Sequence, residues 1–238
     1  MIINNFVDSS KSSDRLYKYT EVKYIKSSLD YGIYAGKIID LNDPYEAKDI
    51  KDSSVYRICS LTRSQNANLM WAHYANSHKG CSLQIKWSNY GAKESLLKRV
   101  DYKNTYINRR ELVSDEEIIE SLYCKDDKWK DELEVRAVFS KYSSSLNDWN
   151  VSEEGLMFLK AQITAVNFGC MVDINSSEYR DAINCIYEHN KNRSPGSKIR
   201  VQKMTMKDDQ YRFVVDKNYS FDSELERLGI IEKLTVAS

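Results

Sequence analysis

The sequence predicts a mixed α+β fold, with a largely antiparallel sheet and helices packed on it. Short alternating apolar runs outnumber helical stretches along the chain. Two late runs, residues 199–206 and 210–215, flank Lys207, Asp208 and Asp209, the pattern of an antiparallel hairpin. Strands and helices do not alternate regularly, as they would in a doubly wound parallel sheet.

Residues 16–20 form a short strand. Residues 21–29 follow as a helix with Val22, Ile25 and Leu29 on one face, and Gly32 lies just past its end. Residues 33–35 are the next strand, and Asn42, Asp43 and Pro44 make a polar turn because Asn and Asp bond their own backbone while Pro fixes φ. Residues 55–62 are a strand. Asn66 is placed to cap a helix over about residues 67–77 that stops at Gly80. Cys81, Leu83, Ile85 and Trp87 alternate with polar residues as in a half-buried strand. Ser114 and Glu117 have capping-box spacing ahead of a helix carrying Ile118, Ile119, Leu122 and Tyr123. Leu133, Val135, Ala137 and Phe139 mark one further strand and residues 163–168 another, and Ser176 opens a helix through Tyr179, Ile183 and Ile186.

With 238 residues the chain can bury one good core or two small ones, and no linker or repeat marks a boundary, so a single domain over residues 1–238 is expected. Hydrophobic content of 42% against 29% charged residues suits a globular protein, and no apolar run is long enough to span a bilayer. The first residues, MIINNFVDSSKSSDR, lack the parts of a secretory signal, which points to the cytoplasm; residues 9–13 suggest a flexible terminus. Five cysteines without CxxC spacing fit reduced thiols, mostly buried. Thirty-five basic and 35 acidic residues cancel, so nucleic-acid contact would need a local patch. None of the eight glycines forms a phosphate-cradling loop.

Three constellations could carry chemistry. In DELEVRAVF, read as one strand, Glu132 and Glu134 share a face about 7 Å apart with Arg136 next in line, given a rise of about 3.3 Å per residue. That face is either a solvated, ion-paired edge or a carboxylate pair that binds sugar hydroxyls and stabilises an oxocarbenium-like transition state. Glu134→Gln keeps the shape of the side chain, so folding should survive it. In the helix ANLMWAHYANSH, His73 and His78 stand too far around the axis to share a metal, so no metal site is expected. Trp71, Ala75 and His78 lie on one face and Met70, His73, Tyr74 and Ser77 on another; one face is core and the other lines a cleft or is simply structural. Asn42, Asp43 and Glu46 form either an ordinary turn or a loop presenting carboxylates beside a pocket. The aromatic and polar side chains of these early motifs, Tyr19, Asp43, Glu46 and His73 among them, are expected to converge on one cleft.

The strings LYKYT, LNDPYE, ICSLT, LMWAHYANSHKG, VDY at Val100 to Tyr102, and K-x-x-x-W-x-x-E-x-E-x-R from Lys125 through Trp129 to Arg136 resemble the bacterial domain-of-unknown-function family numbered 2971. The matched motifs run in order through most of the first 140 residues. The resemblance implies a cytoplasmic bacterial protein often found near mobile or phage-defence genes, without a settled activity. The chain also resembles the ADP-ribosyltransferase fold, a split α+β sheet that holds NAD as substrate. That resemblance implies Lys18 or Tyr19 on the first strand, Tyr34 or Ser60 on the second, and Glu132 or Glu134 on a later one; LYKYT has no His or Arg at its centre, and ICSLT only approximates the Ser-Thr-Ser pattern. Glu134 would favour cleavage of the nicotinamide–ribose bond, Glu132 would orient the acceptor, and Tyr19 or Tyr34 would stack on nicotinamide. Tyr17, Asn42, Trp71, Tyr74, Trp129 and Arg136 complete the expected binding residues. The implied function is a defence or toxin enzyme acting on a nucleic-acid or protein target, with an antitoxin or defence-system partner. Alternatives are a nuclease-like enzyme centred on His73, Asp43 and Glu46, or a non-catalytic binding module.

Overall fold

The computed structural model describes residues 15–65, 67–86, 97–210 and 212–232. In chain order they form β1 (Leu16–Thr20), α1 (Ile25–Tyr31), β2 (Ile33–Lys37), α2 (Pro44–Ala47), β3 (Tyr56–Thr62), α3 (Asn68–Tyr74), β4 (Cys81–Lys86), β5 (Leu97–Arg99), β6 (Asp101–Lys103), α4 (Asp115–Ser121), β7 (Cys124–Asp126), β8 (Glu134–Ser140), β9 (Trp149–Val151), β10 (Met157–Leu159), β11 (Gln162–Phe168), α5 (Ser177–Lys191), β12 (Arg200–Met206), β13 (Phe213–Val215) and α6 (Phe221–Arg227). The fold is mixed α+β, and most strand pairs are antiparallel. The chain divides into two compact units with interleaved segments: one draws on 1–18, 31–64 and 86–162, the other on 19–30, 65–85 and 163–238.

In the first unit β3 is the central strand. It pairs with β8 along its whole length, from Tyr56 opposite Ser140 to Thr62 opposite Glu134. Its other edge is shared by β2, at Gly36 opposite Ile58, and β1, at Tyr17 opposite Thr62. β10 and β9 extend the sheet beyond β2, and β5 lies against β8. Ile38, Val55, Tyr56, Ile58, Leu122, Tyr123 and Val138 form its core, with Ile118 and Ile119 of α4 packed against them. The capping box that starts α4 is present: Ser114 Oγ accepts the Glu117 N–H at 3.2 Å and Glu117 Oε2 accepts that of Ser114 at 3.1 Å. Gly32, at φ +111°, takes a conformation that L side chains rarely adopt, and the Leu159 carbonyl occupies the space a Cβ would need.

The second unit contains a β11–α5–β12 crossover with the two strands parallel, Ala165 opposite Arg200 through Phe168 opposite Lys203. Sequence reading missed this parallel pair because α5 is flanked by strands that resemble those of the hairpins. Ser176 caps α5, which buries Tyr179, Ala182, Ile183 and Ile186. The expected hairpin is β12–β13, paired from Met204–Val215 to Met206–Phe213.

Two expectations are corrected. The helix expected over residues 67–77 ends at Tyr74, because Asn76, Ser77 and His78 all take positive φ, 46°, 52° and 68°. Met70 and Trp71 are both buried and His73 is exposed, so the proposed faces do not continue through Ser77 and His78. The left-handed run is held by Gly80 N–H to Ala75 O at 2.8 Å and by Met171 N–H to His78 O at 3.1 Å. Leu133 is no core residue either: at φ 47° and 41% exposed, it ends the 3-10 turn that carries Glu132, and the strand begins only at Glu134. The helix cap expected at Asn66, the strand end expected at Trp87 and residues 9–13 lie outside the described residues.

Backbone packing at Gly169 makes a sharp prediction. A Cβ there would overlap the carbonyl of His78, whose left-handed turn cannot easily retreat, whereas Gly196 faces open space. Gly169→Ala should lower stability in urea unfolding by about 1–3 kcal/mol or more, and Gly196→Ala should leave it unchanged within about 0.5 kcal/mol.

Candidate functional site: a buried ionic network in the first unit

Three short local structures place the charged groups. Asp43 caps α2 by accepting the Tyr45 N–H at 2.9 Å, with Pro44 at the first helical position, and Glu46 on the same turn is buried. Asp126 caps the 3-10 turn of residues 127–132 by accepting the Lys128 N–H at 2.9 Å. Leu133 reverses the chain there, Thr62 Oγ1 donates to Glu132 O at 2.6 Å, and Tyr102 Oη accepts the Glu134 N–H at 2.8 Å. β8 then carries Glu134 and Arg136 inward, with all seven residues buried.

Arg136, 1% exposed, grips Glu134 with both arms, Nε to Oε1 at 2.7 Å and Nη2 to Oε2 at 2.9 Å. Its Nη2 also lies 2.7 Å from Glu46 Oε2, and Nη1 donates to Leu122 O at 2.7 Å. The Lys125 ammonium sits 2.5 Å from Glu132, 3.3 Å from Glu134 and 3.5 Å from Glu46, over the ring of Trp129 at 4.7 Å. Burial pushes the Glu134 carboxyl up, but Arg136 and Lys125 outweigh it and bring it down to about 2. Burial likewise opposes the charge on Lys125 and Arg136, and the carboxylates around them raise both above their ordinary values. Glu134, Lys125 and Arg136 are therefore all charged at neutral pH.

The solvated-edge account of DELEVRAVF is thus overturned for Glu134 and Arg136: they are buried, because Glu46 and Lys125 arrive from other segments to satisfy them. The two glutamates also do not share a strand face; they share the ammonium of Lys125.

Among the expected residues, the structure gathers Glu46, Trp129, Glu132, Glu134 and Arg136 around this network. Ser60 on β3 stands opposite Arg136 and helps to lower the Glu134 carboxyl, and Lys18 Nζ on β1 donates to Ser60 O at 3.1 Å. Asp43 is buried one helical turn before Glu46, while Asn42 is exposed. Tyr17 is buried in β1, and Tyr34 is exposed on β2 with its ring 5.7 Å from Phe158. Tyr19, Trp71, His73 and Tyr74 belong to the second unit, where Tyr19 and Trp71 meet edge to face at 5.0 Å and His73 is exposed beside Tyr74. Lys125, Tyr102 and Arg109 were not singled out as site residues. The first two lie inside the quoted motifs, whereas RRE around Arg109 carries no signal.

Comparisons of the chain with protein-family models, curated proteins and solved structures return no match. The chemistry of the first unit therefore rests on its own geometry. Glu134 lines a pocket of about 440 Å³ with Arg63, Arg99, Tyr102 and Leu133. Glu46 and Lys125 line another, of about 260 Å³, with Tyr45, Arg109 and Lys128. Among the described residues no three His, Cys, Asp or Glu side chains are grouped to hold a metal ion, and no helix is long and apolar enough to cross a membrane.

The network is a structural keystone as well as a candidate site, and its burial argues against the expectation that Glu134→Gln leaves folding intact. Removing one partner of a buried pair leaves the other uncompensated, so Glu134→Gln and Arg136→Leu should each cost about 3–5 kcal/mol by denaturant unfolding. The folded Glu134 carboxyl lies below its unfolded value of 4.5, so its stabilisation is complete above that value and is lost as pH falls towards about 2. Acid unfolding should therefore begin below about pH 4.5 in the wild type, and Glu134→Gln should flatten that dependence.

Proposed function

We propose that this protein is an ADP-ribosyltransferase-like enzyme of the kind its motifs resemble, a phage-defence or toxin protein that uses NAD as substrate and modifies a macromolecular target. The observation that supports this reading is the placement of Lys18, Ser60 and Glu134 on the neighbouring strands β1, β3 and β8, with Lys18 bonded to the Ser60 carbonyl. These three strands supply the basic, hydroxyl and carboxylate residues that the resemblance assigns to them. Ionised Glu134 is suited to accept a hydrogen bond from a ribose hydroxyl and to stabilise positive charge developing at the anomeric carbon. The carbon–nitrogen bond breaks, nicotinamide leaves with the electron pair, and a nucleophile of the target takes the ADP-ribosyl group and gives up a proton. Glu132, tied to Lys125 at the rim of the network, would orient that nucleophile. Glu134 is 5% exposed, and Arg63 and Arg99 share its pocket, where they would meet the diphosphate.

Nicotinamide release from NAD by the purified chain tests the proposal. Ser60 and Lys18 are only half-buried, so Ser60→Ala and Lys18→Gln should fold normally while lowering turnover about a hundredfold. Absence of both NAD binding at millimolar concentration and nicotinamide release would overturn it, as would full activity in Ser60→Ala and Lys18→Gln.

A further inference from the structure

Two cations in the wall of the pocket of about 260 Å³ beside the network, Arg109 and Lys128, have no carboxylate at ion-pair distance among the described residues. Arg109 is 6% exposed, yet its guanidinium bonds only neutral oxygens: Nη1 to Tyr45 O at 3.0 Å, Nε to Ser121 Oγ at 3.0 Å and Nη2 to Ser121 O at 3.2 Å. Lys128 lines the same pocket, and among the described residues neither it nor Arg109 has a carboxylate within ion-pair distance. Lys48 stands over the rings of Tyr45 and Tyr106, at 5.3 and 4.9 Å, again without an ion pair. The wall also holds three carboxylates, Glu46, Asp43 and Asp126. Glu46 is held by Arg136 and Lys125, Asp43 accepts the Tyr45 N–H, and Asp126 accepts that of Lys128.

A buried guanidinium whose bonded partners are all neutral, with Glu46 acting on it only from beyond ion-pair distance, gains from a direct anionic counterpart. Arg presents a planar fork that fits phosphate oxygens, and the exposed rings of Tyr45 and Tyr106, 6.0 Å apart, offer flat surface beside it. We propose that this pocket binds a nucleoside phosphate, with the phosphate between Arg109 and Lys128 and the base against the Tyr45–Tyr106 pair. Lys18, Ser60 and Glu134 do not line the pocket, so the site goes beyond the enzyme reading and does not depend on it.

Isothermal titration with ADP, inorganic pyrophosphate and adenosine tests the assignment. ADP should bind more tightly than either of the others, and added salt should weaken it. Lys128→Glu and Lys48→Glu change exposed side chains and should each weaken ADP about tenfold or more at unchanged thermal midpoint. Arg109→Lys keeps the charge, loses the fork and should also weaken it. No ADP binding at millimolar concentration overturns the proposal, as does equal affinity in both lysine variants. Pyrophosphate binding as tightly as ADP overturns the nucleoside part. Nicotinamide release from NAD by Lys128→Glu, measured in parallel, reports on the enzyme reading separately.

Discussion

The first unit is organised around one guanidinium. Arg136 is almost wholly removed from water and spends its donors on two carboxylates and a backbone carbonyl. No isolated charge survives in such a place, since the cost of desolvating it is several kcal/mol and only close, well-directed partners offset that cost. Each partner comes from a different part of the chain: Glu134 from the same strand, Glu46 from α2 and the Leu122 carbonyl from the end of α4. The network therefore fixes how those segments meet, and a register slip of one residue in β8 would turn both buried charges to the opposite face.

The short elements around the network follow from that demand. A four-residue helix such as α2 has little stability of its own, and it holds because Asp43 caps it, Pro44 presets its first turn and Glu46 is anchored to Arg136. The 3-10 turn before β8 ends with Leu133 in the left-handed region, a conformation that costs energy for a side chain of this kind and persists where the surroundings dictate it. Here the Glu132 carbonyl is held by Thr62 and the Glu134 amide by Tyr102, so the backbone is tied on both sides of the turn.

Much of the architecture was legible in the sequence because it rests on local rules. β1 has its expected bounds, the Ser114–Glu117 box and the Ser176 cap are present, and the late hairpin follows from its alternation and turn residues. The failures share another cause. Leu133 fits the alternation of Val135 and Ala137, yet the tertiary ties of its neighbours bend it out. Asn76 to His78 continue a helical pattern that the hydrogen bond from Met171, in the turn after β11, helps to cut short. The acidic and basic residues of DELEVR were visible, but their burial was not, since it depends on Glu46 and Lys125 closing in from a distance. Arg109 was invisible for the same reason: its neutral partners, Tyr45 O and Ser121, are separated from it by 64 and 12 residues.

The interleaving of the two units bears on how the chain is made. Every segment of the first unit has been synthesised once residue 162 emerges, whereas the second still lacks β11, α5 and β12. At ribosomal speeds of roughly 5–20 residues per second, the 44 residues from 162 to the end of β12 at 206 take about 2–9 s. Over the 82 residues from the end of β4 at 86 to the end of β11 at 168, about 4–16 s at the same speeds, β4, apolar at Cys81, Leu83 and Ile85, waits without its β11 neighbour. An exposed strand edge of this composition invites pairing with other chains, so yield in a cell will depend on the holdase capacity available to nascent chains during those seconds.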